Sequence, residues 1–509
     1  MTADGYVAES LPEWLYRATE KWPDVRWCRA PDGAATRSEI VERAERACGT
    51  LRQAGVDHGD LLLIVLPNGL GFLDAWFGTI FAGGISAAMN PRAMITELPA
   101  VLEAIRPATL IVEDEDRDEI GGLTSGWSGR ILSSGELSGG TRTAAAKLEP
   151  GSWASLIQSS GSTGKPKFVI ETHSMYTLAA DGFPYWLGLG EQDRLYTSLP
   201  LSHINAQVYS TLGSFGCGAS LELRSTFSAS QFWDDVAESG ATEFNAIGAM
   251  LEIMLRAAPV AAEKNHSVKR CYTGPAPSER VHREFEERFG VQIVVGYALS
   301  ESPYGLVCQT GEDNPFGSSG RPRQHPVLGV INEAELRDDS GATVTDRVGE
   351  LVLRNPAITP GYLHPDGTVE SPVRDGWLYT GDLMWRDADG RYFFAGRKKE
   401  VIRRRGENVS PGEIEAVADR HEGVLSSAAV GVPSDLSEED IKLFVKTADC
   451  GSADLRSIAE WVNERVPPYK RLRYIEAVED WPLTETQKIA KRHLSRERNK
   501  CEIDLEAVQ

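Results

Sequence analysis

Short apolar runs typical of buried strands alternate along much of the chain with segments whose apolar residues recur at helical spacing. Two such helical segments are "ASQFWDDVAES" and "SERVHREFEERFG". Strands and helices in alternation are typical of an α/β fold with a parallel sheet. The sequence therefore predicts this fold class, with buried strands at residues 61–67, 109–114, 219–225 and 291–298.

The alternation changes near residue 396, where a run of lysines and arginines begins in "GRKKEVIRRRGENVSPGEIE". The chain beyond this run has the strand and helix content of a small α+β domain. With 509 residues, the chain is long enough for two domains that each bury a sizeable core. We predict a large N-terminal domain of parallel or mixed sheets with flanking helices over residues 1–396, and a small mobile C-terminal domain over residues 397–509.

The segment "SSGSTGKPK" is low in side-chain bulk and rich in hydroxyl groups and glycine. Glycine lets the backbone approach a ligand closely, and successive N–H groups can surround an anion. The spacing of the mononucleotide P-loop is not met, because proline follows the first lysine, so a Walker-type ATPase is a poor interpretation. The segment still predicts a phosphate-binding loop that contains Ser159, Ser160, Gly161, Ser162, Thr163, Gly164, Lys165 and Lys167.

The charge of the chain limits its partners, since the formal net charge is -21 at pH 7. Nucleic acids and anionic membranes attract basic surfaces, so we expect no binding to either. The most apolar window begins at Gly71, carries Asp74 and several glycines, and predicts a buried helix running into a loop rather than a membrane insertion. Seven scattered cysteines without a C-x-x-C pair, and an N-terminus without a secretory signal, favour a cytoplasmic protein.

The order [ST]-S-G-[ST]-T-G-x-P-K in this loop resembles the adenylate-forming superfamily, which comprises acyl-CoA synthetases, luciferases and the adenylation domains of peptide synthetases. Four further stretches match the family in the expected order: "TGPAPSE", "GYALSES", "GWLYTGDLMWRDADGRYFFAGRKK" and "WPLTETQKIAKRHL". The segment "RRRGENVS" is most similar to the corresponding segment of crotonobetaine/carnitine and medium-chain acyl-CoA ligases. Two positions depart from the family, because Phe168 and Gln487 stand where glycine is common.

The resemblance implies a binding site for ATP in the large domain. Gly274, Pro275 and Ala276 belong to the stretch that lies along the adenine in the family. Tyr297 stands at the position of the aromatic residue that stacks on the adenine ring. Taken alone, the first stretch would be an ordinary Pro/Gly turn, and the order of the five motifs favours the nucleotide role.

The resemblance also assigns the phosphates, the metal and the ribose. Ser300 would approach the α-phosphate, and Glu301 would help to hold Mg²⁺, a hard cation that prefers carboxylate oxygen. Asp382 would accept hydrogen bonds from the two ribose hydroxyls, because a carboxylate offers two acceptor oxygens. Arg397 would support the ribose or the phosphates.

The C-terminal domain contributes a hinge and a catalytic lysine according to the same resemblance. Lys399 stands at the hinge, where a residue absorbs backbone rotation. Lys488 matches the catalytic lysine of the adenylation step. Because Gln487 replaces the usual glycine beside it, Lys491 is the alternative candidate.

The resemblance places an acyl pocket around "LSHIN" and "FNAIG", which makes the pocket residues His203, Ile204, Asn205, Phe244 and Gly248. His203 would gate the carboxylate and belongs to the predicted catalytic set. Relatives that activate amino acids have an acid after this histidine to pair with the ammonium group. Here Ile204 follows, and an unpaired buried ammonium is costly, so an α-amino acid is disfavoured. The apolar and small residues of "FNAIGAMLEIML" favour an apolar or aromatic acid, and ordinary core packing is the alternative interpretation of the same run.

Three functions remain compatible with the sequence. The first is an acid–thiol ligase that uses ATP and Mg²⁺ to form an acyl-adenylate and then transfers the acyl group to coenzyme A. The second is an amide synthetase that transfers the acyl group from the same adenylate to an amine. The third is a binding protein without catalysis, which the presence of Lys488, Glu301 and Asp382 disfavours. The sequence leaves the identity of the acid and the oligomeric state open.

Overall fold

The structure is a computed structural model that describes residues 8–159, 167–404, 407–434, 438–447, 454–482, 489–497 and 502–505. The α-helices of the described residues are α1 (Leu11–Lys21), α2 (Arg37–Gln53), α3 (Leu70–Ala82), α4 (Met94–Ile105), α5 (Arg117–Leu123), α6 (Ser134–Leu137), α7 (His173–Leu187), α8 (Gly213–Cys217), α9 (Phe232–Ser239), α10 (Gly248–Arg256), α11 (Glu279–Phe289), α12 (Pro411–Ala418) and α13 (Leu455–Arg465). A π-helix, Asn205–Leu212, precedes α8.

The strands fall into two groups that follow the chain. The first half of the chain carries β1 (Arg26–Ala30), β2 (Gly33–Thr36), β3 (Leu61–Val65), β4 (Ile85–Ala88), β5 (Thr109–Val112), β6 (Arg130–Ser133), β7 (Trp153–Ser159), β8 (Lys167–Thr172), β9 (Arg194–Thr197), β10 (Ser220–Leu223), β11 (Glu243–Ala246), β12 (Arg270–Thr273), β13 (Gln292–Leu299), β14 (Ser302–Val307) and β15 (Ser318–Pro322). The rest carries β16 (Glu333–Arg337), β17 (Thr343–Val344), β18 (Gly349–Arg354), β19 (Tyr362–Leu363), β20 (Val369–Glu370), β21 (Val373–Arg374), β22 (Trp377–Arg386), β23 (Tyr392–Arg397), β24 (Ile402–Arg404), β25 (Glu407–Val409), β26 (Ser426–Pro433), β27 (Glu439–Lys446), β28 (Tyr474–Ala477) and β29 (Ile503–Asp504).

The predicted α/β architecture is confirmed. Strands β3, β5, β10 and β13 lie within the four predicted runs or one residue from them, and α9 and α11 occupy the two predicted helical segments. Helix α3 is buried along nearly its whole length, as the apolar window predicts. The window then continues into β4 rather than a loop, because "ISAA" pairs in parallel with the buried strand β3 and is covered on both faces.

The described strands of the large domain form two mixed sheets. One has 15 strands and runs in the order β17-β16-β18-β22-β23-β15-β14-β13-β12-β11-β9-β10-β1-β2, with β21 beside β22. The other has eight described strands in the order β20-β19-β8-β7-β4-β3-β5-β6. The main hydrophobic core packs α1, α2, α3 and α7 between these sheets.

The small C-terminal region has its own described sheet in the order β26-β27-β28-β29. Its core joins α12 and α13 to this sheet through residues such as Ile414, Ile458 and Leu443. The predicted fold class, a large N-terminal domain and a smaller C-terminal one, is therefore confirmed, while the boundary at residues 396 and 397 stays a prediction. None of the helices in the described part of the chain combines the length and apolar character that crossing a lipid bilayer requires.

Candidate active site

Most of the predicted site residues follow the carboxyl ends of neighbouring parallel strands. Strands β9, β11, β12 and β13 pair in parallel and in that order. In open α/β sheets, ligands bind in the crevice outside such carboxyl ends. The four ends deliver four predicted groups to one edge of the sheet: residues 203–205, Gly248, residues 274–276 and residues 297–301.

Asp382 lies at the centre of the predicted nucleotide site and is held from two sides. Its Oδ2 accepts a hydrogen bond of 2.7 Å from the hydroxyl of Tyr297, and its Oδ1 lies 3.1 Å from Nε of Arg397. Only 2% of Asp382 is exposed. Burial, and then the charge of Asp382, hold the pKa of Tyr297 well above its usual value, so the phenol stays a donor. A fixed carboxylate of this kind can accept hydrogen bonds from a diol.

The position of Asp382 follows from the local strand geometry. Asp382 on β22 faces Arg397 on β23 as a register partner. The preceding Gly381 has φ +72°, a conformation that favours glycine, and its N–H donates to Glu350 Oε1 at 3.0 Å. The sequence "TGD" therefore produces a local irregularity in the strand, and this irregularity directs the carboxylate of Asp382 toward Tyr297.

Glu301, the predicted magnesium ligand, belongs to a row of polar groups over one face of β8. Its Oε1 accepts a 2.7 Å hydrogen bond from the hydroxyl of Tyr362 on β19. The Nζ of Lys167 lies 4.6 Å from the centre of the Tyr362 ring. Tyr362 is the register partner of Val169 on β8. Lys167 therefore lies against the ring of this tyrosine, and Glu301 accepts from its hydroxyl group.

Glu171 extends the same row and was missed by the sequence reasoning. It is fully buried, and neither carboxylate oxygen has a hydrogen-bond partner. Burial, reinforced by the negative charge of Glu301, holds the pKa of Glu171 well above its usual value. An acidic residue within the apolar run "KFVIET" is the signal that could have found it. The carboxylate of Glu301 fits a hard cation, which prefers oxygen ligands.

The phosphate loop is anchored at both ends by β pairing. Ser159, the last residue of β7, is the register partner of Lys167, the first residue of β8. The side chain of Ser159 and the residues Ser160, Gly161, Ser162, Thr163, Gly164 and Lys165 lie outside the described part of the structure. Their phosphate-binding role therefore stays a prediction.

Phe168, one of the two departures from the family, is 2% exposed. It packs in the second hydrophobic core of the large domain, with Leu98 and Val101 of α4. It thereby fixes the base of the loop to the surface of a helix.

The residues predicted to lie along the nucleotide come together beside Asp382. Gly274, Pro275 and Ala276 follow β12, where an added Cβ on Gly274 would lie 2.4 Å from the carbonyl oxygen of Gly296. That close approach explains the glycine. Ser300 is half-buried in the turn after β13. Stacking of Tyr297 on adenine and contact of Ser300 with the α-phosphate stay predictions.

The predicted acyl pocket begins where the chain enters the π-helix. His203, Ile204 and Asn205 are half-buried. A Cβ added to Gly248 would meet no atom within 4 Å, so space is open beside it. Phe244 points away from this region, into an aromatic cluster with Phe232 at a centroid distance of 4.9 Å.

The next residue on β11 faces the other way and was also missed. Asn245 is 1% exposed, and its Nδ2 donates a 2.8 Å hydrogen bond to Oδ1 of Asn205. The neighbouring Phe244, which was predicted to line the pocket, lies on the opposite face of the strand. A single polar residue in the apolar run "FNAIG" was the signal that pointed to Asn245 instead.

The predicted hinge residue Lys399 is exposed in a short 3₁₀-helix, Lys398–Glu400, that follows β23. Its neighbour Lys398 forms ion pairs with Asp339 and Glu350 of the large domain, at 2.9 and 3.0 Å. Exposure and the position between the two domains suit a hinge, and the role itself stays a prediction.

The two candidate lysines differ in what the structure describes. Lys488 lies outside the described residues, so its catalytic role stays a prediction. Lys491 lies 2.7 Å from Glu415 and 3.5 Å from Glu400. Burial lowers the pKa of Lys491, but the two carboxylates outweigh it and keep the amine charged. Lys491 is therefore engaged in ion pairs next to the predicted hinge.

Comparison with known families places this geometry in context. The profile of the AMP-binding enzyme family matches residues 15–363, and that of the AMP-binding enzyme C-terminal domain matches residues 413–488. The chain belongs to the AMP-binding enzyme family. The resemblance to adenylate-forming enzymes drawn from the five motifs is thereby confirmed.

Individual relatives agree with this membership. The chain is 30% identical to a sulfoacetate–CoA ligase of Cupriavidus necator, over 95% of this chain and 97% of that protein. It is 26% identical to a crotonobetaine/carnitine–CoA ligase of Salmonella arizonae, over 90% and 92%. A solved structure of an anthranilate CoA ligase in complex with anthranoyl-AMP has a TM-score of 0.86 and 25% identity, over 96% of this chain and 97% of that one. The prediction of an AMP-forming acid–thiol ligase is confirmed by the family and the names of these relatives.

Proposed function

We propose that this AMP-binding enzyme activates an apolar or aromatic carboxylic acid with ATP, releases pyrophosphate, and transfers the acyl group from the adenylate to coenzyme A. The observation that carries the proposal is the buried carboxylate of Asp382, fixed between Tyr297 and Arg397 at the edge of the parallel strands. A protein that only stored an acyl group would not need a buried carboxylate placed to accept hydrogen bonds from a ribose. The membership in the AMP-binding family supports the same conclusion.

The first half-reaction is limited by charge. A carboxylate that attacks the α-phosphorus of ATP meets an anion, and further negative charge develops on the departing pyrophosphate. Positioning and fixed positive charge are sufficient to catalyse such a displacement, without a covalent protein nucleophile. Lys488 would contact the attacking carboxylate, while Lys165 and Lys167 would hold the β- and γ-phosphates.

The cation partner of the reaction is Mg²⁺, which when bound neutralises phosphate charge. Glu301 would hold it, and Tyr362 orients the Glu301 carboxylate by donating to Oε1. The oxygen donors present therefore fit a hard cation.

The acid would bind between the nucleotide edge and the π-helix. His203 would close on its carboxylate, and Ile204, Asn205 and Gly248 would line the pocket, whereas Phe244 packs against Phe232 on the other face of β11. The partly buried hydrophobic side chains Ile204, Ile247, Ala276, Ala298 and Leu328 support an apolar or aromatic body. The absence of an acidic residue after His203 argues against an α-amino acid, because its ammonium group would be buried unpaired.

The second half-reaction would follow a rotation of the small domain at Lys399, which removes Lys488 from the adenylate. The basic segment that begins at Arg397 would then be available to the phosphates of coenzyme A, since the rest of the chain is acidic. The relatives named as CoA ligases support a thiol acceptor. Transfer to an amine is the outcome that would replace this part of the proposal.

The proposal is tested by two measurements on the full chain. Release of pyrophosphate from ATP is measured with a panel of carboxylic acids, with and without Mg²⁺. Products are then analysed with coenzyme A or with a panel of amines as acceptor. We expect Mg²⁺-dependent release with at least one apolar or aromatic acid and a thioester product. A folded chain that releases no pyrophosphate with any acid would overturn the adenylation step, and an amide product would overturn the thiol acceptor.

A further inference from the structure

Asn245 is the polar residue of β11 that faces the predicted acyl pocket. Successive side chains of a strand point to opposite faces, and Phe244 occupies the face that packs on α9. Asn245 therefore faces the π-helix, where its Nδ2 donates to Oδ1 of Asn205 at 2.8 Å. We call these two residues the amide pair.

The amide pair is incompletely satisfied. Asn245 is 1% exposed, and its Oδ1 has no hydrogen-bond partner. A buried acceptor without a donor costs free energy, and most such groups in native proteins are paired. The bond between the two residues uses Oδ1 of Asn205 and leaves the Asn205 NH₂ group for another acceptor. The arrangement is the one expected of a site completed by a polar ligand.

The location of the amide pair matches the place where an acyl group would extend. Asn245 is the register partner of Tyr272 on β12, which in turn is the partner of Val294 on β13. Two strand spacings, about 10 Å, therefore separate Asn245 from the strand that carries Tyr297. Asn205 is half-buried, so the amide pair can be reached from the side of the pocket.

The walls around the amide pair are otherwise apolar. Ile204 precedes Asn205, and Ile247 follows Asn245 by two residues; both are partly buried against the core. Gly248 leaves open space, since an added Cβ would meet nothing within 4 Å. An occupant of this space would make one polar contact in an apolar surrounding.

We propose that the amide pair selects carboxylic acids that carry a hydrogen-bond donor, a hydroxyl or amino group, on an otherwise apolar or aromatic body. This inference rests on the proposed acyl-activating function and names its substrate class. The donor of the acid satisfies Oδ1 of Asn245. An acid with a methyl group in the same place leaves this oxygen unpaired and displaces any water that could reach it. Sites built to bind a hydroxyl or N–H group discriminate strongly against analogues that lack it.

The test compares acids matched in shape. Benzoates that carry a hydroxyl, an amino or a methyl group at each ring position are supplied with ATP and Mg²⁺, and kcat/KM is measured from pyrophosphate release. We expect the hydroxy or amino acid to exceed the methyl acid at least tenfold at one ring position, in line with the effect of one buried hydrogen bond (~10-fold). Equal or higher kcat/KM for the methyl acid at every position would overturn the inference.

Variants assign the preference to the amide pair. Asn245→Leu removes the acceptor, and we expect the ratio between the hydroxy acid and the methyl acid to fall to about one or below. Asn205→Val removes the half-buried member of the amide pair, and we expect it to lower the same ratio. Phe232→Leu is the matched control, because Phe232 packs behind β11 on the opposite face and should leave the ratio unchanged. The ratio between two acids is insensitive to the fraction of folded enzyme.

The outcomes separate this inference from the proposed function. If acids release pyrophosphate but both asparagine variants keep the wild-type ratio, the amide pair does not select the acid, and the proposed function stands. If the preferred acids carry no donor at any position, the inference is wrong and the proposed function again stands. If no acid releases pyrophosphate, both are overturned.

Discussion

Asp382 in the large domain and Lys491 in the small domain are both charged and largely buried, yet their partners differ in kind. Asp382 is held by Tyr297 and Arg397, which lie on strands of the same large sheet. Lys491 is held by Glu415 of α12 and by Glu400, which belongs to the segment between the domains. The first arrangement is internal to one rigid element, whereas the second spans a connection. The predicted nucleotide site is therefore built into the sheet, whereas Lys491 joins the small domain to the connecting segment by ion pairs.

Contacts between the domains support the same contrast. Arg280 of α11 donates to the carbonyl oxygen of Leu425 at 3.1 Å, and Lys398 pairs with Glu350 at 3.0 Å. These contacts are polar and partly exposed. Exposed ion pairs contribute little net stability, about 0–1 kcal/mol each. A rotation of the small domain would thus break weak contacts and leave the fixed site of Asp382 unchanged.

Among the predicted variants, removal of the Asp382 side chain should have the largest effect on activity. In Asp382→Ala, the two charge-assisted hydrogen bonds expected with the ribose are lost, at about 2 kcal/mol each, so kcat/KM for pyrophosphate release should fall about 1000-fold. Tyr297→Phe is the matched control, since it removes one donor to Asp382 and should cost about tenfold. Equal losses in the two variants would contradict the central role of the carboxylate.

Variants of Lys488 and Lys491 would distinguish the predicted catalytic lysine from a lysine that is held in ion pairs. Lys488→Ala should slow adenylate formation about 100-fold, since a fixed charge in a water-poor site contributes about 3 kcal/mol, yet leave turnover of a supplied acyl-adenylate largely intact. Lys491→Ala should instead lower the melting temperature, because Glu415 and Glu400 lose their shared partner. Equal inhibition of both half-reactions by Lys488→Ala would contradict rotation of the small domain.

Variants of Glu301 and Tyr362, in the row of polar groups over β8, should have a smaller effect, on the Mg²⁺ requirement. Glu301→Gln keeps the shape of the side chain but removes its charge, so the Mg²⁺ concentration for half-maximal activity should rise about tenfold. In Tyr362→Phe the carboxylate loses only one donor, and the required concentration should change about twofold. Activity is measured as a function of Mg²⁺ at saturating ATP. An unchanged Mg²⁺ requirement in Glu301→Gln would remove this residue from the metal site.

Asp419, at the interface between the domains, should make the stability of the fold depend on pH. This effect is the smallest of the four predicted effects. Burial raises the pKa of Asp419 to about 7, and the charges of Glu415 and Glu252 add to this, while Ser427 and Arg280 lower it. A carboxyl with a raised pKa favours folding while protonated, so its contribution is present at low pH and is lost as pH rises through about 7. The stability should fall by at most about 1.4 kcal/mol per pH unit below that value.

Asp419→Asn tests this effect, because the amide cannot ionise. Unfolding by denaturant is followed between about pH 4.5 and pH 8 for both proteins, because the loss of stability lies between the ordinary pKa of the carboxyl and its raised value and ends above it. We expect the slope of stability against pH to be smaller in the variant than in the wild type. Parallel slopes would mean that Asp419 does not titrate in this range.

Local sequence was sufficient for features encoded within one segment. The apolar runs predicted β3, β5, β10 and β13, because strand pattern depends on near neighbours. The sequence "YTGD" predicted a role for Asp382 only through the family resemblance, and that role stays a prediction. Phe244 was chosen over Asn245 because a short apolar run does not reveal which face of a strand turns toward a ligand. Tyr362 could not be found, since its contact with Glu301 depends on pairing of β19 with β8 from far along the chain.

Phe168 has a consequence for attempts to transplant the phosphate loop. Its ring is buried in the hydrophobic cluster that also contains Leu98 and Val101 of α4, and its backbone pairs with Gln158 on one side and Leu363 on the other. A graft of the loop alone onto a relative with glycine at this position would leave an aromatic ring without its receptor. The loop, the facing surface of α4 and the short strand at Leu363 form one exchangeable module, and chimeras should be cut outside all three.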